Sequence, residues 1–502
     1  MRKFDLLEKF EVYQIELLMH LIDVGGTAEK KELLDHLSIS EYFLTKLIES
    51  LINLAQKSDT NFSIKMNRQS IQFQKKPEYS LHTLYDTLIK HAPKYQILEE
   101  LFLHGIINSR TLCKKIGLSQ STYFRKISEL NDLLGEFDLT IQKGVLLGSE
   151  LQIRFFYMSL CLTTDLGKQA TALNIDPRIV SLVDTIQRFS DSPFSFSSRK
   201  KLIIYFNLLK RRYVQKSVFS FKRRELFFYK HIDFSNQKEF IHALKATLLS
   251  KQIHAVLKSF LAYYSYETYP DEEILLLLFM IAEEIIPSDS SYLHKLNLIE
   301  KNSNCLVWSL STDILHFIDS YYPNANVSEK QKYKLHYYLK ASVYHHLIFR
   351  GHIDYYWKPQ WSKLNSLKKT EYLTTFLNKK YSEIMLNNTN DIIFITKISH
   401  IISFYEDHTK DRLSVGIFFE GNFFYQNKFT EWWIKHIELT SIALAEPMSN
   451  NKSYDLIISN VNDPQLQNRG KYFFFLTNYH EKLDLLDLDY LLNDLYSSNS
   501  NS

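Results

Sequence analysis

The sequence predicts a mainly α, multidomain protein that opens with tandem winged helix-turn-helix units and closes on a small α/β domain. Three observations carry that class. Glycine occurs only 12 times in 502 residues, well under the usual share of about 7%, while Leu, Ile, Lys and Glu recur at helical spacing. The segment IINSRTLCKKIGLSQSTYFR, from Ile106 to Arg125, reads as two crossing helices joined by a turn, and an echo of it comes earlier in the chain. Past Asp407 the short apolar runs LSVGIFF, YDLIISN and YFFFLT alternate with helical stretches, as strands of a parallel sheet do.

The first copy reads as helices over Glu11 to Ile22, Ala28 to Leu37 and Ser40 to Leu54, with Ser38 in the turn. NFSIKMNRQSIQFQ then alternates apolar and polar residues around Asn67-Arg68, as a hairpin does. After a connecting segment and helix over Pro77 to Lys94, the second copy runs through Tyr95 to Leu103, Arg110 to Ile116 and Ser119 to Leu134. It ends in FDLTIQKGVLLGSE, a second hairpin with Gly144 near its tip. Within it, Gly117 permits the turn and Ser119 is placed to accept hydrogen bonds from the free amides that open the next helix.

Long Leu/Ile/Tyr-rich helical patterns fill most of Leu151 to Tyr405, with breaks near Asp191-Ser192-Pro193, Tyr269-Pro270, Pro287 to Ser291, Tyr322-Pro323 and Asn387 to Asn390. The break at Pro287 divides them into two helical blocks of similar size. Beyond lie helices over Lys428 to Ile437 and Leu483 to Tyr496, and the polar end SSNSNS is expected to be disordered.

Composition narrows the function classes. The formal charge of +4 is too small to imply nucleic acid on its own, yet Arg110, Lys114, Lys115, Arg125 and Lys126 follow one another with no acid between them. Cys113, Cys161 and Cys305 are too widely spaced for a disulfide framework or a metal pair, which fits a reducing cytoplasm. The greasiest run, Ile274 to Ala282, is far short of the roughly 20 residues that span a bilayer, so no membrane association is expected. No P-loop, His-Glu-x-x-His or Gly-x-Ser-x-Gly pattern occurs; no enzymatic activity, cofactor or metal is expected.

The order of these parts resembles the Mga and AtxA family of virulence transcription regulators of Gram-positive bacteria. The resemblance is carried by LSQSTYFRKISELNDLL from Leu118, SPFSFSSRKKLIIYFNLLKRRY from Ser192 and the α/β tail from Leu413. It implies a first winged helix-turn-helix domain over 1–76 and a linker helix with the second, Mga-type unit over 77–165. Two phosphotransferase-system regulation domains (PRD) follow over 166–286 and 287–407, then an enzyme IIB-like α/β domain over 408–502. It also implies a cytoplasmic activator that binds double-stranded promoter DNA, pairs as a homodimer through the PRD and enzyme IIB-like parts, and meets a phosphocarrier protein. An RNA-binding antiterminator and a phosphotransfer or interaction protein are the competing readings.

Candidate DNA contacts follow from the motif. In the second unit they are Arg110, Lys114, Lys115, Ser119, Gln120, Ser121, Thr122, Arg125 and Lys126, with Lys143 in the wing. Of the neighbours Tyr123 and Phe124, which helical phase sends about 100° apart, Phe124 is favoured as core. In the first unit, Thr45 and Lys46 on the presumed recognition helix and Lys65 and Arg68 in the wing are candidates, set against Glu41 and Glu49, which repel phosphate. The block Arg199 to Lys230, with Lys210-Arg211-Arg212 and Lys222-Arg223-Arg224, reads as a solvated bundle face.

Family relatives accept phosphate on histidine, a nucleophile when neutral near pH 7. His336 and His400 occupy helices resembling those that carry the acceptors, with His345 and His346 ranked lower; the corresponding helix of the first block, Leu202 to Tyr213, has Tyr205 and no His. The tail lacks the cysteine that a working enzyme IIB phosphorylates, since GIFFEGNFFYQNKF has none; Phe423, Phe424 and Tyr425 there are candidates for a dimer interface or for core.

Overall fold

The computed structural model describes all residues except 58–61, 165, 167–175, 217–237, 269–270, 324, 354–366, 386–388, 410–411, 422, 440–441, 450–451, 462, 477–481 and 500–502. Packing divides it into two units, residues 1–311 with 337–397, and residues 312–336 with 398–502.

In the first unit a short 3-10 turn precedes α1 (Lys9–Asp23), β1 (Thr27–Glu29), α2 (Lys30–Leu37), α3 (Glu41–Lys57), β2 (Phe62–Met66) and β3 (Ser70–Lys75). The expected hairpin is present, but Ala28 lies in a strand instead of opening the second helix. The sheet order is β1-β3-β2, antiparallel throughout, with Ala28 opposite Ile71 and Ile64 opposite Phe73. Those four side chains are buried, as are Ile15, Leu18, Leu33, Leu44, Leu47 and Leu51 of the three helices. The periodic apolar positions thus form one small core.

Next come α4 (Leu81–His91), α5 (Pro93–His104), α6 (Ser109–Ile116), α7 (Gln120–Leu134), β4 (Thr140–Gln142) and β5 (Val145–Leu147). Proline at the first position of α5 lacks only an amide hydrogen that the helix start leaves unpaired. Asn131 reaches from α7 to fix β4: its amide donates to the Ile141 carbonyl at 3.2 Å, and the Ile141 amide donates back at 2.7 Å. The β4–β5 turn is tied to the start of the motif, because the Ile107 amide donates to the Gly144 carbonyl at 2.8 Å. At φ +76° a Cβ on residue 144 would stand 2.5 Å from the Ile107 carbonyl oxygen, so the turn requires glycine.

The helices that follow are α8 (Glu150–Thr163), α9 (Pro177–Phe189), α10 (Phe196–Lys216), α11 (Lys238–Ala246), α12 (Leu248–Tyr263), α13 (Glu272–Ala282), α14 (Ser291–Asn302), α15 (Leu306–Tyr321), α16 (Glu329–Ile348), α17 (Leu367–Lys380) and α18 (Thr389–Thr409). Every residue of α13 is buried, which explains the greasiest run as a central helix surrounded by protein.

The solvated face expected for Lys210-Arg211-Arg212 is corrected by the packing. Arg212 is buried and donates to both Glu150 carboxylate oxygens, at 3.2 and 2.8 Å. Glu150 also accepts from Arg154 Nε at 3.0 Å, and Arg154 makes a two-pronged pair with Glu272 at 2.8 and 2.9 Å. Tyr213 donates to Glu272 at 3.3 Å, and Gln215 links Arg212 to the Phe102 carbonyl of α5, with both distances 3.0 Å. Lys210 pairs with Asp176 at 3.0 Å, and the Arg211 guanidinium lies 4.8 Å from the centre of the Phe102 ring. Two buried arginines and two buried carboxylates therefore balance in a network joining α8, α10 and α13. Such charges tolerate burial only when paired and hydrogen-bonded. Lys222-Arg223-Arg224 lie outside the described residues.

In the second unit, β6 (Leu413–Phe418), α19 (Phe423–Leu439), β7 (Ala443–Pro447), β8 (Tyr454–Ser459), α20 (Pro464–Gln467), β9 (Gly470–Phe475) and α21 (Lys482–Asn499) follow in order. The parallel sheet is ordered β7-β6-β8-β9. Val415, Ile417, Leu456 and Ile458 pack with Trp433 and Ile437 of α19 and Leu488 and Leu492 of α21. The edge strand β7 is an addition to the runs read from the sequence. The polar end is also corrected in part, since α21 continues to Asn499.

Candidate nucleic-acid interface

The α6–α7 junction is built by local chemistry. Asn108 caps α6 by accepting the Thr111 amide at 3.2 Å, and Gly117 ends it in the left-handed region at φ 70°. Ser119 caps α7, its Oγ accepting the Thr122 amide at 3.1 Å and lying 2.9 Å from both the Ser121 and Thr122 hydroxyls. The Ser119 hydroxyl is thus engaged in holding the helix start. Gln120, Ser121 and Arg125 project into solvent on the first turns of α7, and Thr122 is half-buried.

Arg110 and Lys114 of α6 are exposed and carry no ion pair among the described residues. Lys115 is exposed but bonded to Glu100 at 3.0 Å. Lys143 is exposed at the β4–β5 turn, in a left-handed conformation with φ 50°.

Two assignments made from the sequence are overturned. Lys126 is only 5% exposed, and its ammonium binds Glu8 at 2.7 Å and Glu129 at 2.9 Å. Burial presses its pKa down, but the hydrogen bonds and charges of those two carboxylates prevail and raise it. Lys126 therefore fixes α7 to the segment before α1 and is not presented to a phosphate. Phe124 is 62% exposed, whereas Tyr123 is 3% exposed and packs inward. The sequence did hold the signal, because Tyr123 lies in helical register with the buried Leu130 and Leu134.

In the first unit Tyr42 is 69% exposed on α3, with the Lys46 ammonium 4.5 Å from its ring centre. Thr45 is half-buried and donates to the Glu41 carbonyl at 2.9 Å. Lys30 binds the Glu41 carboxylate at 2.5 Å, and that bond and charge lower the carboxyl pKa. One of the two repelling acids is thus partly offset by Lys30, the cation that opens α2, while Glu49 remains exposed. Lys65 and Arg68 are exposed in the hairpin.

The histidines separate by environment. His400 is exposed on α18, and His336 is half-buried on α16. His345 lies 3.7 Å from Glu283, and burial first, then neighbouring cations, hold its pKa well below the ordinary imidazole value. His346 stacks on Phe394 with ring centres 4.5 Å apart, and burial followed by the Arg350 charge lowers its pKa to about 4. His254 is paired with Glu273 at 3.0 Å, His242 is exposed, and His231 lies outside the described residues. Tyr205 is buried and stacked on Phe279 at 4.7 Å.

A cavity of about 300 Å³ lies among Phe155, Met158, Lys201, Glu283, Glu284 and Lys397. Lys201 is neutralised by Glu283 at 2.9 Å, and the Lys397 charge faces both glutamates, so the cavity is not an evident anion site. All three cysteines are buried, and among the described residues no group of acids, histidines and cysteines could hold a metal ion. No described helix is long and apolar enough to cross a membrane. The side chains of Phe423, Phe424 and Tyr425 lie outside the described part, so neither a dimer face nor core packing is visible for them.

Comparison with known proteins agrees with the geometry. Residues 77–161, from α4 into α8, match the Mga helix-turn-helix domain. The chain is also 22% identical over 520 aligned positions to a Streptococcus pneumoniae serotype 4 protein (strain ATCC BAA-334 / TIGR4) named "Putative trans-acting regulator"; the alignment covers 97% of this chain and 98% of that protein. Both matches bear out the resemblance carried by the sequence.

Proposed function

We propose that this Mga-like chain is a transcription regulator that binds promoter DNA through its N-terminal helix-turn-helix units and is controlled by the parts that follow. The observation that carries this reading is the capped start of α7, where Ser119 holds the helix end and leaves Gln120, Ser121 and Arg125 exposed. A recognition helix offers such residues to base edges while nearby cations neutralise phosphates. On this reading Arg110, Lys114, Lys115, Arg125 and Lys143 meet the backbone, and Gln120, Ser121 and Thr122 meet bases. Thr45, Lys46, Lys65 and Arg68 supply the weaker contacts of the first unit. The match of residues 77–161 to the Mga helix-turn-helix domain supports duplex DNA as the ligand.

The proposal extends to organisation and control. Winged units over 1–76 and 77–165, regulation domains over 166–286 and 287–407, and an enzyme IIB-like domain over 408–502 form a cytoplasmic homodimeric activator. Phosphate arrives on His336 or His400 from a phosphocarrier protein. The exposure of His400 supports access, and the buried network from Glu150 to Glu272 supports mechanical coupling of the bundle to the helix that follows the wing.

Gel shifts with a 40-base-pair DNA duplex and an RNA hairpin test the central claim. The duplex is expected to bind more tightly, and Arg125→Ala to reduce the slope of log affinity against log salt by about 0.9, the value for one lost phosphate contact. Stronger RNA binding, or no binding to duplex, refutes it. Labelled phosphoenolpyruvate with the general phosphotransfer proteins tests control separately; no label on His336 or His400 removes that part alone.

A further inference from the structure

An aromatic ring left in water on a recognition helix calls for a chemical partner. Phe124 is 62% exposed at the fifth position of α7, while its neighbour Tyr123 anchors the helix in the core. The two rings touch edge to face with centres 5.4 Å apart, which holds the Phe124 ring against a buried neighbour. Three- and four-residue spacing puts Phe124 on the same helix face as Gln120 and Ser121, the pair placed to meet bases. Exposed cations lie on this helix and on the one before it. Arg125 follows Phe124 with a 68% exposed side chain, and Arg110 and Lys114 of the preceding helix are exposed cations. A polyanion with an apolar group between its phosphates matches that combination. In the major groove of DNA only thymine supplies one, the C5-methyl group.

We propose that Phe124 is a thymine-reading residue, its ring packing on C5-methyl groups in the major groove and giving the protein a preference for methyl-bearing A·T sequence. This rests on the DNA-binding reading above and adds to it a base and a contact atom. Uracil pairs as thymine does and lacks only the methyl, so it isolates the contact. Each methyl covered by the ring is expected to contribute about fourfold in affinity, from the free energy of burying one such group.

The test uses the full-length chain and two 40-base-pair duplexes, alternating dA-dT and alternating dA-dU, compared in the same buffer. Wild type is expected to bind the thymine duplex about fourfold more tightly or better. Phe124→Ala is expected to lower that ratio about fourfold; the exposed site and the helix preference of alanine leave the fold intact. Arg125→Ala is expected to weaken both duplexes alike and keep the ratio. Differences of shape and hydration between the duplexes cancel when the ratios of wild type and Phe124→Ala are compared. A wild-type ratio of one, or the same ratio in Phe124→Ala, overturns the assignment while leaving DNA binding standing. Failure of wild type to bind either duplex sinks the DNA-binding reading itself.

Discussion

Replacing Glu272 by leucine removes one of four balanced buried charges, and the consequence can be worked from its partners. Arg154 loses two hydrogen bonds, at 2.8 and 2.9 Å, and Tyr213 loses one at 3.3 Å. Among the described residues Arg154 then keeps the Glu150 carboxylate, which it shares with Arg212, so the charges of the network no longer balance. Breaking a buried pair from one side costs about 3–5 kcal/mol, because the stranded charge cannot be rehydrated. Removing both partners, in Arg154→Met with Glu272→Leu, leaves Arg212 and Glu150 matched and is expected to cost less than Glu272→Leu alone. A chain of this size does not unfold in one step, so the readout is native-state hydrogen exchange in peptides from α8, α10 and α13, with thermal melting as support. A balanced network of four charges is refuted if Glu272→Leu lowers the opening free energy of those helices by less than about 1 kcal/mol. A double variant as unstable as the sum of the two singles refutes it equally.

Lys126→Met, which keeps the buried stem, is expected to lower stability by about 1–2 kcal/mol and leave the salt slope of DNA binding unchanged, in contrast to Arg125→Ala; melting and gel shifts decide it. His346 has a folded pKa of about 4 against 6.5 for a free imidazole. Below pH 6.5 the unfolded chain gains a proton that the folded ring refuses, so His346 costs the fold nothing above 6.5 and increasingly destabilises it as pH falls toward 4. That window is worth about 3 kcal/mol, and His346→Phe should flatten the acid side of a plot of melting temperature against pH. An unchanged acid slope removes His346 as its source. Gly144→Ala forces a Cβ against the Ile107 carbonyl in a left-handed turn and is expected to cost at least about 1–2 kcal/mol and to weaken duplex binding through a displaced wing. Wild-type melting and affinity in that variant would contradict the turn geometry.

What the sequence made legible was local. The cap Ser119, the turn glycine Gly117 and the hairpin at Gly144 act within a few residues, and the structure has them where the chain chemistry puts them. The burial of Lys126 was not legible, since its partner Glu8 lies 118 residues away. Arg212 looked like a surface cation for the same reason, because Glu150 is 62 residues distant. Strands β1 and β7 are short and at sheet edges, and neither has the alternation that marks β3 nor the apolar run that marks β8. Tyr123 and Phe124 differ in size and polarity too little for composition to choose between them; only the register with Leu130 and Leu134 separates the inward ring from the outward one.

The network around α8 also sets a timetable for synthesis. Glu150 meets Arg212 62 residues later, Arg154 meets Glu272 118 residues later, and Gln152 meets the backbone of Arg350 198 residues later. At about 5–20 residues per second, the ribosome takes roughly 10–40 s to deliver the last of these partners. Throughout that interval Phe155 lacks the Phe349 ring that stacks on it at 4.3 Å in the finished molecule. A nascent chain in this state is a natural client for chaperones, and a pause in translation between α8 and α16 lengthens its exposure.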